Sequence, residues 1–117
     1  MAETTQLELV TPVSVMAQQA VEMVVAPGVE GLFGVLPRHA PLLADLKRGV
    51  IELHQNGTVI ERYMIDGGLA DVSGERVTIL AERAIHLGSA DPAQLKTQAA
   101  HASEDEAAFL NAVIAAL

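Results

Sequence analysis

Four histidines are the residues best suited to acid–base catalysis or metal binding in this 117-residue chain. None has the close spacing of a metal-binding motif, and they occupy separate segments, at His39, His54, His86 and His101. A Ser–His–Asp site can be assembled on paper from Ser73, His39 and Asp45, but no nucleophile-elbow motif surrounds the serine. We therefore expect surface or structural histidines, with no catalytic, metal or cofactor site.

The glycine-rich segment at residues 28–34 is a second candidate for chemistry. Gly28, Gly31 and Gly34 recur at every third position, which differs from the G-x-G-x-x-G phosphate-binding pattern, and no predicted helix follows them. Opposed carboxylates such as Glu52 and Glu61 are typical of a solvated strand face. The sequence thus predicts a glycine-shaped turn rather than a phosphate loop.

The strands and helices that position these residues are built from a chain rich in aliphatic residues and in acids. Half the residues are hydrophobic, only 3% are aromatic, and the net charge is −8. An acidic balance is the wrong sign for binding nucleic acid, and the lack of cysteine excludes disulfides and thiolate chemistry. No apolar run approaches the ~20 residues that span a bilayer, and the first residues lack a basic region. We expect a soluble protein without an export signal or direct membrane insertion.

Composition divides the chain in two. All nine glycines lie at or before Gly88, and all valines but one precede residue 90, whereas more than half of the alanines lie in residues 90–117. Valine and glycine suit strands and turns, and alanine suits helices. The predicted domains are a β-sandwich over residues 1–88 and a helix-turn-helix tail over residues 89–117.

Residues 6–82 show strand periodicity. Asn56-Gly57, between apolar runs at 50–54 and 59–65, is the sequence of a type I′ hairpin turn. A second hairpin is predicted at Ser73-Gly74. Short strands separated by turns, without intervening helices, predict a mainly β fold, an antiparallel sandwich or barrel, followed by a short helical hairpin.

The tail carries explicit helix signals. Asp91-Pro92 and Ser103 supply N-cap residues, and acids follow the second cap. The predicted helices cover Pro92–His101 and Glu104–Leu117. Both are near or below the length at which an isolated helix is marginal, so the hairpin must pack on itself, on the sandwich or on a partner.

One irregular segment is unusual for a plain loop. Gly34-Val35-Leu36-Pro37-Arg38-His39-Ala40-Pro41-Leu42-Leu43 combines two prolines, a basic pair and several aliphatics. Either it forms a shaped contact surface, or it tucks its leucines under the sandwich.

This segment resembles the signature of the epsilon subunit of F-type ATP synthases, the delta subunit of mitochondria. Similar stretches follow in order: Leu9–Pro12, Arg48–Ile51, Gly67–Val72 and Val77–Glu82. The resemblance covers about residues 5–90 and implies an N-terminal β-sandwich followed by a helical hairpin.

The resemblance implies a non-catalytic central-stalk rotor subunit. It would join the gamma subunit to the c-ring, reach the beta subunits through its tail, and help couple proton flow to ATP synthesis. It would be a peripheral membrane protein on the cytoplasmic face of the bacterial plasma membrane, with no cofactor and no nucleic-acid partner.

The resemblance also implies two contact surfaces. A loop facing the c-ring would contain Val29, Glu30, Gly31, Leu32, Phe33, Arg38 and His39, with Glu30 opposite an arginine of the c-ring's polar loops. A surface facing gamma would contain Pro41, Leu42, Leu43, Val77 and Ile79.

Two departures from the family are visible. Asp66 replaces a small polar residue before the glycine pair, which we expect to matter little. The tail is short and acidic, whereas the inhibitory tail of the family is longer and basic, so we expect weak or absent inhibition of ATP hydrolysis. Where some members hold ATP with Asp-x-x-Arg, this chain has Asp91-Pro92-Ala93-Gln94, so we expect no ATP site there.

Two other functions fit the composition. One is a free-standing β-sandwich adaptor that binds a peptide or a sugar. The other, weaker, is a small hydrolase. Co-purification with gamma and the catalytic head distinguishes the rotor subunit from the adaptor, and turnover of generic ester or glycoside substrates is needed for the hydrolase.

Overall fold

Residues 3–117 are described by the computed structural model of the protein, and they form ten β-strands followed by two α-helices. The strands are β1 Thr5–Val10, β2 Val15–Val21, β3 Met23–Gly28, β4 Gly31–Val35, β5 Leu42–Leu46, β6 Gly49–Gln55, β7 Thr58–Ile65, β8 Gly68–Ser73, β9 Arg76–Ala81 and β10 Ala84–His86. A single 3₁₀ turn, Leu87–Ser89, leads to the helices α1 Pro92–Ala100 and α2 Glu104–Ala116.

The strands form two facing layers joined at one corner. One layer has the order β4-β3-β6-β7-β10 and the other β5-β8-β9-β1-β2, and the pairing of Gly28 with Leu46 connects them. All neighbours are antiparallel except β1 and β9, which run parallel. The mainly β fold class, a sandwich followed by two helices, is therefore confirmed, with one parallel pair in an otherwise antiparallel arrangement.

The core lies between the layers and is almost entirely aliphatic. Alternate residues of β1, β6 and β9 point inward, among them Leu7, Ile51 and Val77, and these three are fully buried. Period-two alternation places every second side chain on the same face, so one strand can be apolar inside and polar outside. The two layers pack face to face around this core.

The predicted Asn56-Gly57 turn is confirmed. Asn56 has φ 54° and Gly57 has φ 75°, and the pair Gln55–Thr58 closes the hairpin. These positive angles are the ones that a type I′ turn requires. The hairpin predicted near Ser73 is also present, but Ser73 pairs with Arg76, so its two turn residues are Gly74 and Glu75.

Four strands of this fold were not predicted from the sequence: β2, β4, β5 and β10. Residues 31–35 and 42–46, predicted as a turn and an irregular segment, are β4 and β5. Their partners are distant in sequence: β4 pairs with β3, and β5 pairs with β8. Residues 84–86, which lie between the predicted sandwich and tail, form β10 against β7.

The tail folds back onto the outer face of the first layer. Val50, Met64 and Ile85 are cross-strand neighbours there, and together with Leu87 they contact the apolar side of the helices. Buried in this second hydrophobic cluster are Leu95, Phe109, Leu110 and Val113. Asp91 caps α1 by accepting from the Ala93 N–H at 3.0 Å. Within residues 3–117, neither helix is long and apolar enough to cross a bilayer.

Candidate interaction surfaces

The hairpin joining β3 and β4 forms a projecting tip. Val29 and Glu30 are its two turn residues, both exposed, and Gly31 follows with φ 132°. The Val29 N–H donates to the Asp45 carbonyl at 3.0 Å, and the Lys47 N–H donates to the Pro27 carbonyl at 2.9 Å. Both bonds join the tip to the end of β5, so the backbone that leads to Glu30 is held against the second layer.

Apolar side chains surround this tip. Leu32 is 73% exposed, Leu43 68% and Val29 57%, while Phe33 is half-buried against the core. Between the hairpin and β5 lies a cavity of about 450 Å³. Large aliphatic side chains this exposed in one neighbourhood are typical of an interaction site. We refer to Val29, Glu30 and Leu32 as the tip surface.

Arg38 and His39 do not belong to this surface. They follow the far end of β4, in a turn where the His39 N–H donates to the Leu36 carbonyl at 3.2 Å. Arg38 has φ 64° and pairs with Glu3 at 2.5 Å. The seven residues predicted to form one loop therefore fall into two groups. Val29–Phe33 lie at the tip and the start of β4, whereas Arg38 and His39 follow the end of β4.

Val77 and Ile79 occupy the core, although they were predicted to face a partner. Both are fully buried within the sandwich. A side chain without exposed surface cannot contact another subunit, so these two residues are removed from the predicted surface. Alternation along β9 turns Thr78 and Leu80 outward instead. Pro41, Leu42 and Leu43 are exposed as expected.

An apolar row crosses the outer face of the second layer. Val15 pairs with Val10, Val10 with Leu80, and Leu80 with Leu69, so all four share one face. Val15 is 56% exposed and Leu80 46%. We call these four residues the outer apolar row. The sequence of β9 contains a signal for this row, because Ile79 and Leu80 are consecutive apolar residues and only one of them can face the core.

This row has a counterpart on the opposite side of the molecule. Val50, Met64 and Ile85 form a similar cross-strand row on the first layer, and the helical tail covers it. Nothing within residues 3–117 covers the outer apolar row in the same way. One apolar face is therefore buried by the chain itself, and the other is open to a partner.

Two of the four histidines pair with glutamates of the sandwich. His54 pairs with Glu52 at 3.0 Å, and His86 bridges Glu61 and the Ser89 hydroxyl. Among residues 3–117, no group of three or more histidines or carboxylates is placed to hold a metal ion. The Tyr63 ring packs against the His86 ring, with centroids 4.9 Å apart and the planes inclined at 38°. Burial, and then the negative charge of Glu61, raises the pKa of the Tyr63 phenol.

Comparison with known proteins identifies the family. The family model described as "ATP synthase, Delta/Epsilon chain, beta-sandwich domain" matches residues 4–87. The chain belongs to the ATP synthase delta/epsilon family. The epsilon chain of Rhodospirillum rubrum is 41% identical over an alignment covering 100% of this chain and 96% of that protein. The epsilon chain of Paramagnetospirillum magneticum is 43% identical, covering 92% of this chain and 82% of that one.

Solved structures agree with this family assignment. A chain in the Euglena gracilis mitochondrial ATP synthase, in a structure of OSCP, F1 and the c-ring, has a TM-score of 0.69 and 27% identity. That likeness covers 96% of this epsilon-family chain and 74% of the Euglena chain. A chain from the central stalk and c-ring of the Tetrahymena thermophila enzyme shares the fold, with a TM-score of 0.61 at 15% identity, covering 75% of this chain and 70% of that one. The predicted family resemblance is confirmed.

Proposed function

We propose that this chain is the non-catalytic central-stalk subunit of a proton-translocating F-type ATP synthase, joining the gamma subunit to the c-ring. The observation that supports this role is a closed two-layer body with two separate exposed apolar surfaces, the tip surface and the outer apolar row. A rotor coupling needs two binding faces on a stiff body, because torque applied at one must reach the other.

The tip surface is our proposed contact with the c-ring. Its aliphatic side chains suit a partner face near the membrane, and Glu30 supplies an acid for the arginine that the family resemblance implies in the polar loops of the c-ring. Arg38 and His39 lie outside this contact. A single exposed ion pair contributes only about 0.2–1 kcal/mol, so shape and apolar contact carry most of the binding.

The outer apolar row is our proposed contact with gamma, together with Pro41, Leu42 and Leu43 beside it. Leu43 pairs with Asp71 on the same face of the sheet as Leu80, since Leu69 and Asp71 are two residues apart on β8. The surface therefore extends from β2 across to β5. It replaces the predicted contribution of Val77 and Ile79 with that of Leu80 and its neighbours.

A cysteine cross-link tests the c-ring contact. The chain contains no cysteine, so Glu30→Cys introduces a single reactive site. We expect a disulfide to a cysteine in the polar loop of the c-ring under mild oxidation. Glu75→Cys is the matched control, because Glu75 is also the second residue of a two-residue hairpin turn and is exposed. A cross-link from position 75 but none from position 30 would reverse the orientation that we propose.

A pull-down from solubilised membranes tests the whole assignment. The tagged chain should retain gamma and the c subunit, and Leu80→Glu should lose gamma. Ile60→Glu is the control, since Ile60 is 44% exposed on β7, away from the proposed surface. Retention of neither subunit by the unmodified chain would favour the free-standing adaptor instead.

Weak inhibition of ATP hydrolysis is part of the proposal. α2 has 13 residues, which span about 20 Å at 1.5 Å per residue. Its first turn contains Glu104, Asp105 and Glu106. The family resemblance implies that an inhibitory tail docks on acidic segments of the catalytic head, and like charges at the start of α2 oppose that docking. Its apolar side packs on the sandwich. We place the protein on the cytoplasmic face of the bacterial plasma membrane, attached through its partners.

A further inference from the structure

Asp66 is the centre of an ion-pair cluster that sequence reasoning had treated as a minor departure. Its Oδ1 accepts from Arg48 Nε at 2.8 Å, and its Oδ2 accepts from Arg83 Nη1 at 2.9 Å. The carboxylate is only 11% exposed, so both bonds are partly shielded from water. Asp66 therefore fixes the positions of two arginines at the surface of the sandwich.

The tail adds a fourth charge to this cluster. Asp105, in the first turn of α2, accepts from Arg83 Nη1 at 3.3 Å, and one of its carboxylate oxygens lies 3.7 Å from Arg48 Nη2. The four side chains are together neutral. Without Asp105, two arginines would face a single carboxylate, next to the positive end of the helix dipole.

Asp105 has a unique position among the acids of the tail. Glu104 and Glu106 flank it on α2, yet within residues 3–117 the ion pairs that join the helices to the sandwich all involve Asp105. Its own carboxylate is 76% exposed. The contact is therefore open to solvent and to dissolved ions, unlike the buried apolar cluster around Phe109.

We propose that Arg48, Asp66 and Arg83 form a receptor for Asp105, a salt-sensitive latch that holds the start of α2 on the sandwich and shifts the tail toward its docked position. The apolar cluster supplies most of the docking free energy, and the latch adjusts it. Because Asp66 already orients both arginines, Asp105 binds preorganised donors. Dissolved anions compete for the same arginines, so ionic strength becomes a control on tail release.

Hydrogen exchange of the α2 amides in the full chain measures this latch directly. Asp105→Asn should raise the exchange rate roughly two- to five-fold at low salt, the range of an exposed ion pair. Glu104→Gln is the matched control, because it removes one charge from the same helix turn without touching the arginines, and it should change the rate less. Raising the salt should accelerate exchange in the unmodified chain but hardly in Asp105→Asn.

A double-mutant cycle separates the latch from a general effect on the helix. Asp105→Asn and Arg83→Gln should be non-additive, because the second change removes a partner that the first has already lost. Equal acceleration of amide exchange by Asp105→Asn and Glu104→Gln would show that the effect comes only from negative charge near the helix N-terminus. That result, additivity in the cycle, or salt-insensitive exchange in the unmodified chain would each overturn the proposal. The measurements need neither gamma nor the c-ring, so they stand apart from the assignment of partners.

Discussion

Replacing Phe109 by alanine should detach the tail while leaving the sandwich folded. Phe109 is 2% exposed and is the only aromatic residue of the tail, at the centre of the cluster that α1 and α2 form with Met64 and Leu87. Removing such a ring from a packed site costs about 3–5 kcal/mol. Exchange of the α2 amides should therefore rise roughly a hundred- to several thousand-fold, up to the limit set by a fully detached tail.

Substitutions in the tail can lower the stability of the sandwich only up to a limit. Once the tail is detached, the sandwich has lost the free energy of docking, and further changes in the tail remove nothing more. Helices of nine and 13 residues are marginal in isolation, so the tail should lose helical structure when released. Adding Val113→Ala to Phe109→Ala should then shift the sandwich transition little further.

Tyr63 fluorescence during thermal unfolding reads the sandwich separately. It is the only tyrosine, the chain has no tryptophan, and its ring lies in the sandwich core. Leu7→Ala is the positive control, because Leu7 is fully buried in that core and its truncation costs about 2–5 kcal/mol. The combined Phe109 and Val113 changes would contradict this limit if they lowered the Tyr63 transition temperature by the sum expected for two core truncations. Tail and sandwich would then form one cooperative unit, and the division at residues 88 and 89 would be wrong.

Three further outcomes follow from the same structure. Deleting the residues after Ala90 should change ATP hydrolysis by the assembled enzyme little, and a several-fold activation would show that this short tail does inhibit. Gly68→Ala should destabilise the chain by about 3 kcal/mol or more, because Gly68 has φ 144° and an added Cβ would lie 2.0 Å from the Leu80 carbonyl oxygen; Gly74→Ala, with φ 62° and open space, should cost about 1–2 kcal/mol in the same denaturation assay. Tyr63 should ionise above its ordinary pKa of 10.0 in an ultraviolet absorbance titration. Since the folded state holds that proton more tightly than the unfolded chain, its contribution to stability is complete below pH 10 and declines as the pH rises through the raised pKa.

Local signals predicted the parts of this fold that local chemistry determines. Asn56-Gly57 forms its turn because the two residues tolerate positive φ, and Ser103 caps α2 by accepting from the Glu106 N–H at 3.2 Å. By contrast, β5 is a strand because β8 supplies its hydrogen-bond partners more than twenty residues later. The sequence of β5, LLADL, has no β-branched residue and no clear period-two alternation that would reveal such pairing.

For the contact surfaces, too, local features could be predicted from the sequence and long-range contacts could not. The exposed tip at Val29 and Glu30 could be predicted, because a glycine-bounded turn must project from its sheet. The prediction that Val77 and Ile79 face a partner was wrong, since alternation defines which residues share a face but not which face is buried. The role of Asp66 could not be predicted at all, because Arg48 and Arg83 reach it, and Asp105 reaches Arg83, only through tertiary folding, across 17 residues or more.

The parallel pairing of β1 with β9 has a consequence for the synthesis of the chain. The Thr5 hydroxyl donates to the Glu75 carbonyl at 2.8 Å across 70 positions of sequence, and Gln6–Val10 align with Arg76–Leu80. At about 5–20 residues per second, β1 waits roughly 4 to 14 s on the ribosome before its second neighbour is made. Through that interval the first two strands have only each other, and β2 is an uncharged edge without proline, the type of strand that pairs with other chains. An amino-terminal fragment ending before β9 should therefore aggregate, whereas release of the complete chain allows the second layer to close around β1.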